Sequence, residues 1–156
     1  MNTSFNTKQT KEEKLIHMLM KGVDKRYFHT LYLTSCYFST ESAISLMRKM
    51  EKLAKLKKVF LFIDRKSAQT IEQKQFNRIR SCIRNVDVEI LAVDTSTLFH
   101  SKGYAIKSDD KNGGVYRGSL AIGSANLTHT GLTENKNGNI EKPTRHARRR
   151  RGSRIP

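Results

Sequence analysis

His100-Ser101-Lys102-Gly103-Tyr104-Ala105-Ile106-Lys107, then Ser108-Asp109-Asp110-Lys111-Asn112-Gly113-Gly114, then Val115 to Gly123, is the passage that decides the fold. Two β-prone runs flank a cluster of Ser, Asp, Asn and Gly, which is the composition of a turn between two arms of a hairpin. The first arm, 100–107, carries His100 and Lys102 two residues apart, so both side chains face one way. The returning arm, 115–123, delivers Gly123-Ser124-Ala125-Asn126 at its end.

Upstream, the spacing predicts alternating helices and strands. Residues 1–10 are polar and read as disordered. Leu15, Met18 and Leu19 make Lys11 to Met20 a short amphipathic helix. Phe28 to Phe38 is aromatic and β-branched, a buried strand. Ser39-Thr40-Glu41 offers a helix cap. From Ser42 the apolar positions Ile44, Met47, Met50, Leu53 and Leu56 keep helical spacing to about Lys57. Val59 to Ile63 is a compact strand. Ala68 to Ile83 reads as one helix with Ile71, Gln75, Ile79 and Ile83 along a side. Val86, Val88, Ile90 and Ala92 alternate through a strand over 86–93. Past the hairpin, Leu127 to Leu132 starts a helix. The sum is an α/β fold, helices flanking a mixed sheet, with no internal repeat.

At 156 residues the chain has room for one domain with a modest core. Its formal net charge is +16. The last fifteen residues, from Lys142, hold seven Lys/Arg and no acid; the other 141 keep 23 basic against 14 acidic side chains. The surplus therefore belongs to the body as well as the tail, and it predicts a polyanionic partner, nucleic acid before anionic membrane. Cys36 and Cys82 stand apart with no C-x-x-C, which argues against zinc and for a reducing compartment. The polar Met1 to Lys14 lacks a signal core, and no apolar run reaches membrane-spanning length, so the expected location is cytoplasmic.

The hairpin carries the chemistry. A neutral imidazole can attack phosphorus, and an ammonium beside it can hold the phosphate oxygens under attack. Ser124 and Asn126 add a hydroxyl and a carboxamide, and Gly123 allows close backbone approach. H-x-K alone means nothing, because chance supplies it in about half of chains with this composition; G-S-x-N arises by chance in roughly one in twenty-five. A lone histidine beside a strand is ordinarily structural, and Gly123 to Asn126 could equally be a strand running into a helix cap. The pair in this order is what raises His100 above the background. His17, His29, His129 and His146 lack such partners. Asp87 and Glu89 faintly resemble the acid pair of a metal nuclease, but no lysine follows two positions after Glu89, and no metal or cofactor is expected.

Leu98-Phe99-His100-Ser101-Lys102-Gly103-Tyr104 and Ala121-Ile122-Gly123-Ser124-Ala125-Asn126-Leu127-Thr128 resemble the phospholipase D superfamily, and more narrowly its single-motif nuclease and restriction-endonuclease branch. The resemblance covers roughly 28–141. It implies a phospholipase D-like α/β sandwich, in a domain spanning 11–141 ahead of a disordered polybasic tail at 142–156. It implies that His100 is the nucleophile and forms a phosphohistidine, that Lys102 and Asn126 bind the non-bridging oxygens, and that Ser124 supports that cradle. Glu141 takes the place of the family's trailing acid, which fixes the tautomer of the histidine. With a single motif per chain, the second histidine that protonates the leaving oxygen comes from a twofold-related copy, so a homodimer is part of the implied mechanism.

Two features depart from the family pattern. The fuller signature has an aspartate where this chain has Lys107, which weakens a lipase assignment more than a nuclease one. Glu141 runs straight into Lys142-Pro143-Thr144-Arg145, where family members continue with an apolar strand and more helix, so the sequence reads as C-terminally truncated. The leading expectation is a metal-independent phosphodiesterase acting on DNA, with RNA as a second substrate. The first alternative is a nucleic-acid-binding protein that keeps the fold without turnover, and the second a phospholipase. A membrane partner is not expected, since no membrane-docking segment is evident.

Overall fold

In the computed structural model, the residues described are 10–94, 102–109, 117–123 and 126–132. Ten elements follow in order: α1 (Lys11–Met20), β1 (Phe28–Ser35), α2 (Thr40–Leu53), β2 (Leu56–Asp64), α3 (Arg65–Gln69), α4 (Gln73–Arg80), β3 (Asp87–Val93), β4 (Gly103–Asp109), β5 (Gly118–Ile122) and α5 (His129–Leu132). The strands form one mixed sheet in the order β3-β2-β1-β4-β5. The β1-β2 and β2-β3 pairs are parallel, while β4 runs antiparallel to both β1 and β5. The mixed α/β architecture is the one the alternating pattern predicts, with the hairpin added beside the first strand.

Local chemistry explains where the elements begin. Thr10 and Glu13 form a reciprocal capping box on α1. Ser39 caps α2 by accepting from the Ser42 N–H at 3.2 Å. One face of the sheet, through Leu31, Leu33, Val59, Leu61, Ile63, Val88 and Ile106, packs against Leu19, Leu46, Met47, Met50 and Ile79 from α1, α2 and α4. At Gly22, just past α1, an added Cβ would sit 2.4 Å from the Ser119 amide nitrogen, so the helix end lies directly on the β5 backbone. The Ser119 hydroxyl donates to the Met18 carbonyl at 2.6 Å across the same contact.

Several boundaries differ from the sequence expectation. The second helix stops at Leu53, and Leu56 belongs to β2, where it pairs with His29. Ala54 is already extended, and the Lys55 carbonyl accepts from the His29 N–H at 2.8 Å, so strand pairing captures residues whose spacing alone suited a helix. The single helix expected over 68–83 is two. Asp64 caps α3 by accepting from the Lys66 and Ser67 amides, and Glu72 opens α4 in a capping box with Gln75. Gln75 is thus a capping residue and not part of a core stripe, while Ile83 is buried beyond the helix end. The first strand ends at Ser35, three residues early. Strand β4 runs to Asp109, into the expected turn, because Ser108 binds Arg117 across the hairpin (N–H to O, 2.8 Å).

The α1–β1 connection is tied down electrostatically. Asp24 accepts from the Arg26 side chain at 2.6 Å and lies 3.6 Å from Arg117, at the start of the hairpin's second arm. The Arg26 side chain, then its backbone N–H, hold the Asp24 carboxyl well below the usual range. The Asp24 N–H donates to Nε2 of the buried His29 at 3.0 Å, which makes His29 a neutral structural acceptor. Among the described residues no helix is long and apolar enough to cross a membrane.

Candidate active site

The two motif segments meet at the end of the sheet where the parallel strands finish. Because β4 is antiparallel to β1, it begins there, with Gly103 opposite Thr34. Because β5 is antiparallel to β4, it finishes there, with Ile122 opposite Gly103. The Gly123 N–H donates to the Lys102 carbonyl at 3.2 Å, so the first and second motifs are joined by a ladder bond. In α/β sheets the carboxyl ends of the parallel strands are the usual place for a ligand crevice.

Beyond Gly123 the chain returns to β1. Leu127 forms an isolated parallel bridge with Phe38. Its carbonyl accepts from the Ser39 N–H at 2.9 Å. Its own N–H donates to the Ser35 hydroxyl at 3.0 Å. Ser35, fully buried, also donates to the Tyr37 carbonyl at 2.5 Å and shares a hydrogen bond with the Tyr104 phenol. Burial pushes that phenol far above its ordinary pKa, against the pull of Ser35. One serine at the end of β1 therefore holds the strand that follows the first motif and the segment that ends the second.

Asn126 is half-buried, and its Oδ1 accepts from the thiol of buried Cys36 at 3.3 Å. With the oxygen engaged on the protein side, the side of the carboxamide that can serve an anion is its N–H groups. Thr128 caps the short α5, its Oγ1 accepting from the Gly131 N–H at 3.0 Å. The helix cap thus comes two residues after Asn126. Gly131 is required by packing, since a Cβ there would lie 2.3 Å from the Asn126 carbonyl oxygen. At Gly123 and Gly103 a Cβ would meet nothing within 4 Å. The backbone at Gly123 faces open space, which suits approach by a phosphate.

Of the residues singled out from the sequence, Lys102 and Asn126 are described, and both lie at this sheet end. His100, Ser124 and Glu141 fall outside the described residues, as do nearly all of the N-terminal stretch expected to be disordered and the polybasic tail. Among the described residues no carboxylate lies within ion-pair distance of Lys102. An open groove of about 600 Å³ lies alongside, lined by Ser39, Glu41, Ser42, Lys49, His129 and Leu132 among others; neither Lys102 nor Asn126 lines it. Sequence reasoning missed Ser35, Cys36, Tyr104 and Gly131 as parts of the site. Three are ordinary interior residues in type, and no local pattern links them to a motif some 90 positions away in two cases.

A family model described as cardiolipin synthase, PLD-like domain, matches residues 7–148, most of the chain. No curated protein matches it.

Proposed function

The chain belongs to the phospholipase D-like domain family, whose chemistry is phosphodiester hydrolysis or transfer, and from that premise we propose that it cleaves DNA without a metal, as a homodimer. His100 attacks phosphorus and forms a phosphohistidine, and water then releases it. Lys102 and Asn126 neutralise the non-bridging oxygens as charge builds on the phosphoryl group, with Ser124 in support and Glu141 orienting the imidazole. The histidine of a second copy protonates the leaving oxygen.

The observation that carries this reading is the convergence of Lys102, Gly123 and Asn126 at one sheet end. The Gly123 N–H meets the Lys102 carbonyl, the Gly123 backbone faces open space, the Asn126 oxygen is held by Cys36, and no described carboxylate lies within ion-pair distance of Lys102. The net charge of +16 favours a polyanionic substrate. The family description names a lipid-processing enzyme, so phosphatidyl transfer is the rival reading.

The test is nicking of supercoiled plasmid in excess chelator, alongside headgroup release from anionic vesicles. Plasmid cleavage that His100→Ala abolishes supports the nuclease reading. Binding without cleavage points to the inactive nucleic-acid-binding alternative, and headgroup release with intact plasmid overturns both.

A further inference from the structure

Lys102 and Asn126 sit at one end of a row that crosses the sheet. Ile63 pairs with Ser35 and Thr34 with Gly103, so the register sets Ile63, Ser35 and Lys102 side by side at the ends of β2, β1 and β4. Beyond Ile63 the chain turns at Asp64 into α3, which opens with Arg65, Lys66 and Ser67. The Ser67 hydroxyl donates to the Cys36 carbonyl at 2.9 Å, and the Cys36 thiol donates to Asn126. That moors α3 to the residue that orients the carboxamide. The start of α3 thus stands two strand spacings, roughly 10 Å, from Lys102 along the same edge.

Tyr37 lies between the two. Its carbonyl accepts from the Ser35 hydroxyl at 2.5 Å, and the next residue, Phe38, bridges Leu127, so its backbone is held on both sides. Tyr37 and Asn126 each come one residue before that bridge, which puts the tyrosine beside the carboxamide. Tyr37 is nevertheless 53% exposed. A fixed backbone offers such a ring to a ligand at little cost in ordering.

Charge along the edge points the same way. Arg65 and Lys66 occupy the first turn of α3, where the helix dipole disfavours cations and no acid offsets them. The acids that follow the ends of β2, β3 and β1 are each taken up. Asp64 accepts from the Lys66 and Ser67 amides, Asp94 pairs with Arg65, and Glu41 pairs with Arg78. Among the described residues no carboxylate lies within ion-pair distance of Lys66, which is exposed.

We infer that this edge binds a single nucleic-acid strand laid across the ends of β2, β1 and β4. Lys102 takes the phosphate under attack, Lys66 takes a phosphate farther along, and Tyr37 stacks on a base between them. The inference rests on the nuclease reading above and names the form of its substrate. A strand carries a charge every ~3.4 Å when stacked and at wider intervals when splayed, so the two ammonium groups stand roughly two to three nucleotides apart. Stacking on Tyr37 needs a base whose face is free, which a single strand offers and a duplex does not. A glycerol-bridged lipid headgroup supplies phosphates but no aromatic face for Tyr37.

Fluorescence anisotropy of a short labelled oligonucleotide tests this, using the full chain carrying His100→Ala so that the strand stays intact. In that background Tyr37→Ala should weaken single-strand binding by about tenfold, Tyr37→Phe should keep it, and duplex binding should change by less than about twofold. Lys66→Gln should weaken binding by about fivefold near ~0.1 M salt and flatten the log–log salt slope by ~0.7. Removing one base at a time from the oligonucleotide should reveal a position whose loss costs the parent about tenfold and Tyr37→Ala almost nothing, the mark of a direct contact. Both substitutions fall at exposed sites, and thermal melts check that the variants fold. If no such position exists, or if the duplex loses as much as the single strand, the stacking is overturned. A salt slope that Lys66→Gln leaves unchanged overturns the path of the strand. Plasmid cleavage by the unsubstituted chain, with both variants binding like the parent, overturns this inference and leaves the nuclease reading standing. Strand binding with the expected losses, by a chain that leaves plasmid intact, supports the inference and removes the turnover. Phosphatidylglycerol vesicles bound more tightly than the oligonucleotide, with the same losses in both variants, overturn the choice of nucleic acid.

Discussion

Replacing Ser35 by alanine isolates the joint on which the site hangs. In the folded protein the Ser35 hydroxyl is the acceptor for the buried Leu127 N–H at 3.0 Å and a partner of the Tyr104 phenol. Removing it leaves a buried amide unsatisfied, which costs about 1–3 kcal/mol, and forfeits a side-chain hydrogen bond that contributes about 0.5–1.5 kcal/mol. The expected loss is therefore about 1.5–4.5 kcal/mol, against a total of about 5–15 for a domain. With a urea slope near 2 kcal/mol per molar, the unfolding midpoint should fall by ~1–2 M. Tyr104→Phe separates the two contributions. If the phenol and the hydroxyl are partners, the double variant Ser35→Ala/Tyr104→Phe should be less destabilised than the sum of the singles, by at least about 0.5 kcal/mol. Strict additivity, or a midpoint shift below ~0.3 M for Ser35→Ala, would refute the reasoning.

Other perturbations have equally direct outcomes. Cys36→Ala removes the donor that orients Asn126, and should lower turnover several-fold with little change in KM; Cys36→Ser should restore it, and a variant pair with identical kinetics would remove Cys36 from the site. Gly131→Ala must move the Asn126 backbone, costing about 1–3 kcal/mol in urea titrations together with activity, whereas Gly123→Ala meets open space and should leave stability within about 0.5 kcal/mol while still impairing phosphate binding. Asp24→Asn should be less stable than the parent at neutral pH. Because the folded carboxyl pKa is depressed, its contribution is full above the ordinary value of 3.8 and is lost as the pH falls toward the folded value, so thermal melts should show the two proteins converging in acid; a constant gap argues against the Arg26 pairing. Lys102→Ala and Asn126→Ala should each reduce cleavage by about a hundredfold or more with near-native melts.

The fold was legible where periodicity and punctuation agree. Val59 to Ile63 and the Gly-rich hairpin have only one reading, and α1 shows its apolar stripe within a single ten-residue stretch. It was less legible where two local preferences compete. Leu53 to Lys57 satisfies helical spacing, yet a strand needs Leu56 beside His29, a demand that comes from residues far away. Glu72 could lie inside a helix, but its side chain and that of Gln75 open a new one. The site was legible as residue types and not as a frame. Lys102 and Asn126 stand out in the sequence as the proposed phosphate ligands; the buried Ser35 hydroxyl that positions their segments is one of many serines until the sheet closes over it.

That closure has a consequence for a ribosome-made protein. Ser35 and Leu127 stand 92 positions apart, and Phe38 meets Leu127 over a similar gap. Contacts of such separation form late, after loop entropy has been overcome. A nascent chain exposing only the first three strands has no place to bring Lys102 and Asn126 together. Under the proposed function, a phosphodiester is out of reach until translation has passed Leu132 and the last hairpin has docked, so synthesis itself acts as the safety catch.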